Sequence, residues 1–168
     1  MKNVALVLFC MTLSLPTIAF PSGASGAPAQ EGGASFSEVE GKEWILSELR
    51  SGGKTVSIDR KKLEADNMGG FYTINFQKDQ AANEGRLSGM GAPNRYSGPY
   101  TLGGNRAISF GTVASTKMLA FKEPDDLREN EYFAHLSRVA RWDLRGGKLE
   151  LNCTAIGGSE TVMVFTPK

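Results

Sequence analysis

Apolar and polar residues alternate along most of this chain, which predicts a fold built mainly from β-strands. Between residues 71 and 77, Tyr72, Ile74 and Phe76 fall on one face, because side chains along a strand point alternately to its two faces. Residues 96–102 repeat the alternation. The predicted strands, about eight in number, cover residues 43–50, 71–77, 86–90, 96–102, 106–113, 142–144, 148–154 and 162–166.

Glycine-rich turns separate several of these strands and predict tight antiparallel hairpins. Residues 52–53, 103–105 and 146–147 read GG, GGN and GG. Such residues supply the positive φ angles that short hairpin loops require. The glycines inside predicted strands, Gly89 and Gly98, indicate bends or a close approach of another backbone.

One helix is predicted after the central strands. Residues 123–126 read EPDD, which places a proline and acidic groups in a first helical turn. Tyr132, Leu136, Val139 and Ala140 then follow at helical spacing and predict an apolar stripe.

The elements together predict a mainly β, β-rich α+β fold class. We expect a curled antiparallel sheet or a half-open barrel of about eight strands, with the helix across one opening. A charged segment at residues 59–64 is either a short additional helix or an exposed loop.

The first residues are typical of a secretory signal peptide. A basic start precedes an apolar run at residues 4–15, which is too short to span a membrane. Small residues follow, so cleavage fits best after Ala24, with Ala19 and Ala29 as alternatives. We therefore predict a signal peptide at residues 1–24, a flexible Gly/Ala/Ser/Pro linker at 25–38 and a folded domain at 39–168.

The charge balance and the cysteine content exclude some classes of function. The full chain has 19 Lys plus Arg against 18 Asp plus Glu, and loss of the leader removes Lys2 and no acid. The mature chain is therefore formally neutral, which argues against nucleic-acid binding. Of the two cysteines, Cys10 leaves with the leader, and Cys153 alternates with Leu149 and Leu151, which predicts a buried, inert thiol rather than a reactive one.

Residues that could carry chemistry are few, and we predict that the protein is not an enzyme. His135 is expected on the exposed side of the helix, without a nucleophile or carboxylate at a motif spacing. One cysteine and one histidine cannot form a structural zinc site, and we predict no metal and no cofactor. Glu123, Asp125 and Asp126 could hold calcium weakly or complement the start of the helix.

Two motifs carry a family resemblance. Residues 88–100 read SGMGAPNRYSGPY, and residues 115–118 read STKM. They resemble the META domain pattern SGxxGCNxYxGxY followed by STxMxC, and the likeness extends over residues 44–165, so the chain is identified as a META domain protein. Pro93 and Ala120 stand where many relatives have cysteines, so a link between those two positions is absent here.

The resemblance implies a β-rich fold and a role like that of the heat-shock protein HslJ of bacterial envelopes. On this hypothesis the chain is a non-enzymatic, exported protein, periplasmic or associated with the outer membrane, that acts in envelope stress or antibiotic tolerance. We expect a monomer without a transmembrane helix after signal removal. Its partner would be an unidentified envelope protein or a small ligand.

An alternative hypothesis is a binder of another class. The chain could be a lipocalin-like carrier of a small ligand, or an inhibitor that uses the barrel mouth to block another protein, since small barrels either fill their interior with side chains or hold one ligand. The state of the interior beneath Tyr96, Tyr100 and Phe110, packed or empty, would separate these hypotheses.

Asn94, Arg95 and Tyr96 are the candidate binding residues. A structural role explains the same residue types, because Asn favours turns and a strand tyrosine packs inward. Thr116 and Met118 allow the same two interpretations, with Met118 expected in the core.

Overall fold

The described part of the chain begins just before the predicted domain. The structure is a computed structural model, and it describes residues 34–66, 68–81, 83–119, 124–156 and 159–168. They belong to one compact unit at residues 33–168. The predicted signal peptide and most of the predicted linker lie outside the described residues.

Antiparallel strands dominate the described chain, which confirms the predicted fold class. A short 3-10 helix at Phe36–Glu38 precedes ten strands and two α-helices. In chain order these are β1 (Glu43–Ser51), β2 (Lys54–Ser57), α1 (Arg60–Ala65), β3 (Thr73–Lys78), β4 (Glu84–Met90), β5 (Arg95–Leu102), β6 (Ile108–Phe110), β7 (Ala114–Ser115), α2 (Glu129–Leu136), β8 (Val139–Arg145), β9 (Lys148–Ile156) and β10 (Ser159–Pro167).

The strands form one sheet that curls into a nearly closed barrel. Its order is β6-β5-β4-β3-β1-β10-β9-β8, with β2 paired to β1 and β7 paired to β5. The two ends of the sheet meet where Ala107, just before β6, forms an isolated bridge with Arg141 of β8. Beside it, Trp142 donates its backbone N–H to the carbonyl oxygen of Arg106 at 3.0 Å, and the Arg106 guanidinium contacts Asp143. These contacts bring the two ends of the sheet together.

Aromatic rings fill the end of the barrel that lies near the start of the described chain. Phe36 is buried, and its ring centroid lies 5.3, 5.5 and 5.0 Å from those of Phe76, Tyr100 and Trp142. Ser35 caps the 3-10 helix through a capping box with Glu38. The folded structure therefore includes residues that the sequence pattern assigned to the linker.

In two of the three predicted hairpin turns, the glycines adopt the positive φ angles that the sequence pattern predicts. The glycines at residues 52–53 and 146–147 have positive φ angles, as predicted. In the third turn, Asn105 and Arg106 have positive φ angles of 54° and 59°, and the preceding glycines do not. The reason is that Gly103 still donates to the carbonyl oxygen of Ala107 at 2.9 Å, so the chain reverses two residues later than expected.

The predicted strand at residues 106–113 is two separate strands. Gly111 donates its N–H to the carbonyl oxygen of Pro99 at 3.0 Å, which ends the regular ladder of β6. After it the chain passes close to Gly98, where a Cβ would lie 3.0 Å from the carbonyl oxygen of Thr112. The chain then pairs with β5 again as β7.

The boundaries predicted for the main helix are wrong at both ends. Residues 124–126 precede the helix, which begins at Glu129, and Glu123 lies outside the described residues. Val139 and Ala140 belong to β8 rather than to a helical stripe. The strand forms here because the backbone carbonyl oxygen of Arg138 accepts a hydrogen bond from the backbone N–H of Thr154 at 2.8 Å. This bond starts the β8–β9 ladder. The charged segment at residues 59–64 contributes to the helix α1.

Candidate functional site

Asn94 lies at the centre of a buried hydrogen-bond network that joins two loops. Its side-chain Oδ1 accepts from the Thr116 hydroxyl at 2.8 Å and from the Met118 N–H at 2.6 Å. Its Nδ2 donates to the Met118 carbonyl oxygen at 3.1 Å and to Glu129 at 2.6 Å. An asparagine amide offers two donors and two acceptor lone pairs, so all of its capacity is used within the fold.

Glu129 completes this network from the first turn of α2. One carboxylate oxygen accepts the backbone N–H groups of Ala92 and Asn94, at 2.6 and 2.7 Å, and the other accepts the Asn94 side chain. The carboxylate therefore binds the loop between β4 and β5 to the helix. Local sequence patterns do not indicate this role for Glu129, because an acid in a first helical turn carries no sign of a partner 35 positions away.

Tyr96 lies in a cluster of tyrosines beneath α2. It is buried, with 3% exposure, and its hydroxyl donates to the Thr73 carbonyl oxygen at 2.7 Å. The Tyr132 hydroxyl is 2.9 Å away and also reaches Thr73. Burial and the neighbouring Tyr132 raise the pKa of Tyr96 well above its usual value, so the phenol remains a neutral donor.

Arg95 is the candidate residue that points outward. Its side chain is exposed, while its backbone N–H donates to the Thr116 hydroxyl at 3.2 Å and its carbonyl oxygen accepts from the Thr116 N–H at 3.0 Å.

Met118 is 60% exposed and Leu119 is 97% exposed, so the expectation of a core position for Met118 is wrong. The reason is that the backbone of Met118, not its side chain, packs against Asn94. Ala120, which with Pro93 stands where many relatives of the resembled family have cysteines, lies outside the described residues.

The barrel interior beneath the motif is packed with side chains. Tyr96 and Tyr100 are buried, and the ring of Tyr100 lies 5.5 Å from Phe36 and 5.4 Å from Phe76. Phe76 in turn lies 6.0 Å from Phe110. Among the described residues, these rings occupy the space beneath the motif that the ligand of a small carrier barrel would fill.

His135 and Cys153 lie together where α2 meets β9. The Cys153 thiol donates to the His135 carbonyl oxygen at 3.3 Å. Arg138 lies 3.0 Å from His135 Nδ1, and burial together with the charge of Arg138 lowers the pKa of this histidine. His135 is half-buried rather than fully exposed. Burial raises the pKa of the Cys153 thiol to about 11, partly opposed by Arg138.

We expect Cys153 to be unreactive in the folded protein. A chain that starts at Ser25 has Cys153 as its single cysteine, and the raised pKa leaves few thiolates at pH 8. Titration with a disulfide reagent such as dithiobis-nitrobenzoate at pH 8 should label it only after the protein is unfolded in guanidinium. Stoichiometric labelling of the folded protein within minutes would contradict the burial seen here.

The acidic residues near α2 do not assemble a metal site in the described part of the chain. Asp125 contacts Lys62, and Asp126 accepts the backbone N–H of Asp59 at 3.2 Å. Among the described residues no group of three or more His, Cys, Asp or Glu is placed to hold a metal ion. The third member of the predicted cluster, Glu123, lies outside them.

A surface cleft that the sequence pattern did not indicate runs along α2. It has a volume of about 340 Å³ and lies between the segment that follows β6 and the second half of the helix. Its lining residues are Gly111, Thr112, Val113, Ser115, Phe133, Leu136 and Ser137. The pattern missed it because residues 106–113 were expected to form one regular strand.

Comparison with known proteins agrees with this architecture. A sequence model of the META domain family matches residues 37–168. The fold is similar to the NMR structure of a protein from Burkholderia xenovorans, with a TM-score of 0.55 and 20% identity over 89% of this chain and 99% of that one. It is also similar to the crystal structure of a DUF4847 family protein from Bacteroides vulgatus, with a TM-score of 0.50 and 16% identity over 78% and 95% of the two chains. No curated protein matches this chain in sequence.

Proposed function

The chain belongs to the META domain family, and on this premise we propose that it is a non-enzymatic protein exported to the bacterial cell envelope. Its role there, like that of HslJ, is to support survival under envelope stress or antibiotics. It acts by contacting another envelope protein rather than by transforming a substrate. It carries this contact on its outer surface and works as a monomer.

The packed interior is the observation that supports this proposal most directly. The polar side chains of the candidate residues form hydrogen bonds within the fold: Asn94 bonds to Glu129 and to the 116–118 segment, and the Tyr96 hydroxyl bonds to Thr73 and Tyr132. Groups that are already hydrogen-bonded and buried are poor candidates for substrate chemistry. We therefore favour a function carried by contacts of the outer surface over one that needs an interior ligand or a catalytic centre.

In the residues that the structure describes, no helix is long and apolar enough to cross a membrane. The segment ahead of residue 34 enters this proposal only through its sequence, which is typical of a cleaved signal peptide.

Export is the first part of the proposal to test. We expect the full chain, expressed in a bacterial host, to appear in the periplasmic fraction with a mature start near Ser25 and no lipid. The substitution Leu8→Arg should retain the chain in the cytoplasm with its leader intact, because a charge interrupts the apolar run of the signal. Intact-mass spectrometry of each fraction measures both outcomes.

The control for this experiment is Leu8→Ile, which keeps the run apolar and should be exported normally. A wild-type chain that keeps Met1 would contradict the export proposal. The same strains test the stress role: in a host without its own META domain protein, only exported variants should restore survival under heat or antibiotic. Equal rescue by Leu8→Arg would argue against a role in the envelope.

A further inference from the structure

A polar recess lies on the outer face of the sheet, across strands β8, β9 and β10. It has a volume of about 210 Å³, and its lining residues are Arg141, Trp142, Asp143, Arg145, Asn152 and Glu160. Pockets for drug-sized ligands usually measure about 300–1,000 Å³, so a ligand of this recess must be smaller. Because most of the lining side chains are charged or polar, that ligand must be polar as well.

An irregularity in β8 turns Arg141 toward this outer face. Val139 pairs with Cys153 and Arg141 pairs with Asn152, so two steps along β8 match one step along β9. In a regular strand Arg141 would share the inner face with the buried Val139. The extra residue, Ala140, reverses this and leaves Arg141 exposed beside Asn152. Such β-bulges are common next to functional sites, where they re-aim a side chain.

Glu160 reaches the recess from the opposite side, on β10. Val162 pairs with Asn152 of β9, and Glu160 precedes Val162 by two positions, so both lie on the outer face. The register between β10 and β9 also shifts at Glu160, which places a second bulge beside the recess. Arg141 and Glu160 therefore lie on either side of Asn152.

The charged groups at the two ends of the recess are not neutralised by the fold. Within the described ranges of the chain, neither Arg141 nor Glu160 forms a salt bridge, with each other or with another residue. The side-chain amide of Asn152 likewise forms no hydrogen bond with a described residue. A cationic group, an amide and an anionic group thus line one recess without partners in the described fold.

Asp143, by contrast, is occupied by contacts within the fold. It is buried, contacts the Arg106 guanidinium, and accepts hydrogen bonds from Arg145 Nε at 2.7 Å and from the Leu144 N–H at 2.8 Å. Burial alone would raise the pKa of Asp143, but the hydrogen bond from Arg145 and the charge of Arg106 outweigh it and lower that pKa. Arg145 uses only Nε in its contacts, which leaves its two terminal nitrogens for a ligand.

This charge pattern favours a ligand that carries two opposite charges. Guanidinium groups bind carboxylates through paired hydrogen bonds, and a carboxylate binds an ammonium group. A simple anion would be repelled by Glu160, and a simple cation by Arg141 and Arg145. Between the two ends, the Asn152 amide offers a donor and an acceptor, which are the groups that a peptide bond needs.

We propose that this recess binds a short zwitterionic peptide, of dipeptide size, through both of its termini. The carboxylate binds Arg141 and Arg145, the ammonium group binds Glu160, and the peptide group between them binds the Asn152 amide. β9 separates β8 from β10, so roughly 10 Å lies between the backbones that carry the charges, which favours a dipeptide over a single amino acid. This ligand site goes beyond the proposed function and does not depend on it.

The test is an NMR titration of the purified full-length protein with glycylglycine. Saturable amide shifts are expected at residues 141–145, 150–153 and 160–162. N-acetylglycylglycine lacks the ammonium group and glycylglycine amide lacks the carboxylate, so each should bind about tenfold more weakly or worse. These comparisons use the wild-type chain, so they do not depend on the folding of any variant.

Substitutions then assign each end of the ligand. Arg141→Ala and Glu160→Gln should each weaken glycylglycine binding about tenfold, while the acetylated peptide should bind Glu160→Gln at least as well as the wild type. The matched controls are Arg86→Ala and Glu84→Gln, which replace exposed residues of β4 outside the recess and should bind like the wild type. Melting curves establish that each variant is folded.

Other outcomes would overturn the proposal. Equal binding of the acetylated peptide, or of inorganic phosphate in its place, would indicate a plain anion site. Binding of N-acetylglucosamine without binding of glycylglycine would indicate a carbohydrate site. Shifts that do not saturate, or that occur away from the recess, would exclude a peptide site there. Because these measurements use purified protein, they are independent of the export and survival experiments.

Discussion

Replacing Tyr96 by alanine should destabilise the protein by about 3–5 kcal/mol, the range found for large aromatic truncations in cores. The ring is buried and packs against Tyr132 and Phe133, at 5.9 and 5.4 Å between centroids. The substitution also removes the donor to the Thr73 carbonyl oxygen and leaves that acceptor to Tyr132 alone. Urea denaturation followed by tryptophan fluorescence measures the loss in free energy of unfolding.

Two companion variants separate the contributions. Tyr96→Phe keeps the ring and should cost about 1 kcal/mol, the typical value of one buried hydrogen bond. Arg95→Ala should cost under about 0.5 kcal/mol, as surface changes usually do. If Arg95 contributes to partner binding, its loss should abolish rescue under stress without changing the melting temperature. A lowered melting temperature for Arg95→Ala would instead show that this arginine stabilises the fold. No effect in either assay would show that the motif at residues 94–96 has only a structural role.

Removal of the Glu129 carboxylate should also be costly, by about 2–4 kcal/mol, because hydrogen bonds to a charged group are among the stronger ones and their loss leaves donors unpaired. Three donors depend on this side chain: the backbone N–H groups of Ala92 and Asn94, and the Asn94 amide. Glu129→Ala therefore frees the loop before β5 from the helix. Chemical denaturation should show it, together with faster amide exchange in residues 91–94.

A double-mutant cycle identifies the interaction. Asn94→Ala and Glu129→Ala share one network, so the double variant should be more stable than the sum of the two single losses predicts. Glu84→Ala is the matched control, an exposed glutamate in β4 whose replacement should leave the unfolding midpoint unchanged. Strict additivity of the two losses would show that Asn94 and Glu129 stabilise the fold independently.

The three candidate residues show which features of a site local sequence patterns can predict. The period-two alternation placed Tyr96 and Tyr100 on an inner face, and both are buried. It left Arg95 on the outer face, where it is exposed. These positions follow from the geometry of a single strand. The choice between a binding and a structural role for Asn94 depends on Glu129, Thr116 and the Met118 backbone, which only the folded chain brings within hydrogen-bonding distance.

Local sequence patterns are sufficient to predict the β-rich class, the antiparallel hairpins at residues 52–53 and 146–147, and the burial of Cys153. Each depends on neighbours along one or two strands, which alternation and turn chemistry encode locally. Tertiary structure alone decided that Val139 continues a strand rather than a helix, since its ladder partner is Cys153. The tertiary structure also places residues 111–115 beside the second half of α2, where they line a cleft together. No local sequence period connects these two segments, so the pattern could not predict the cleft.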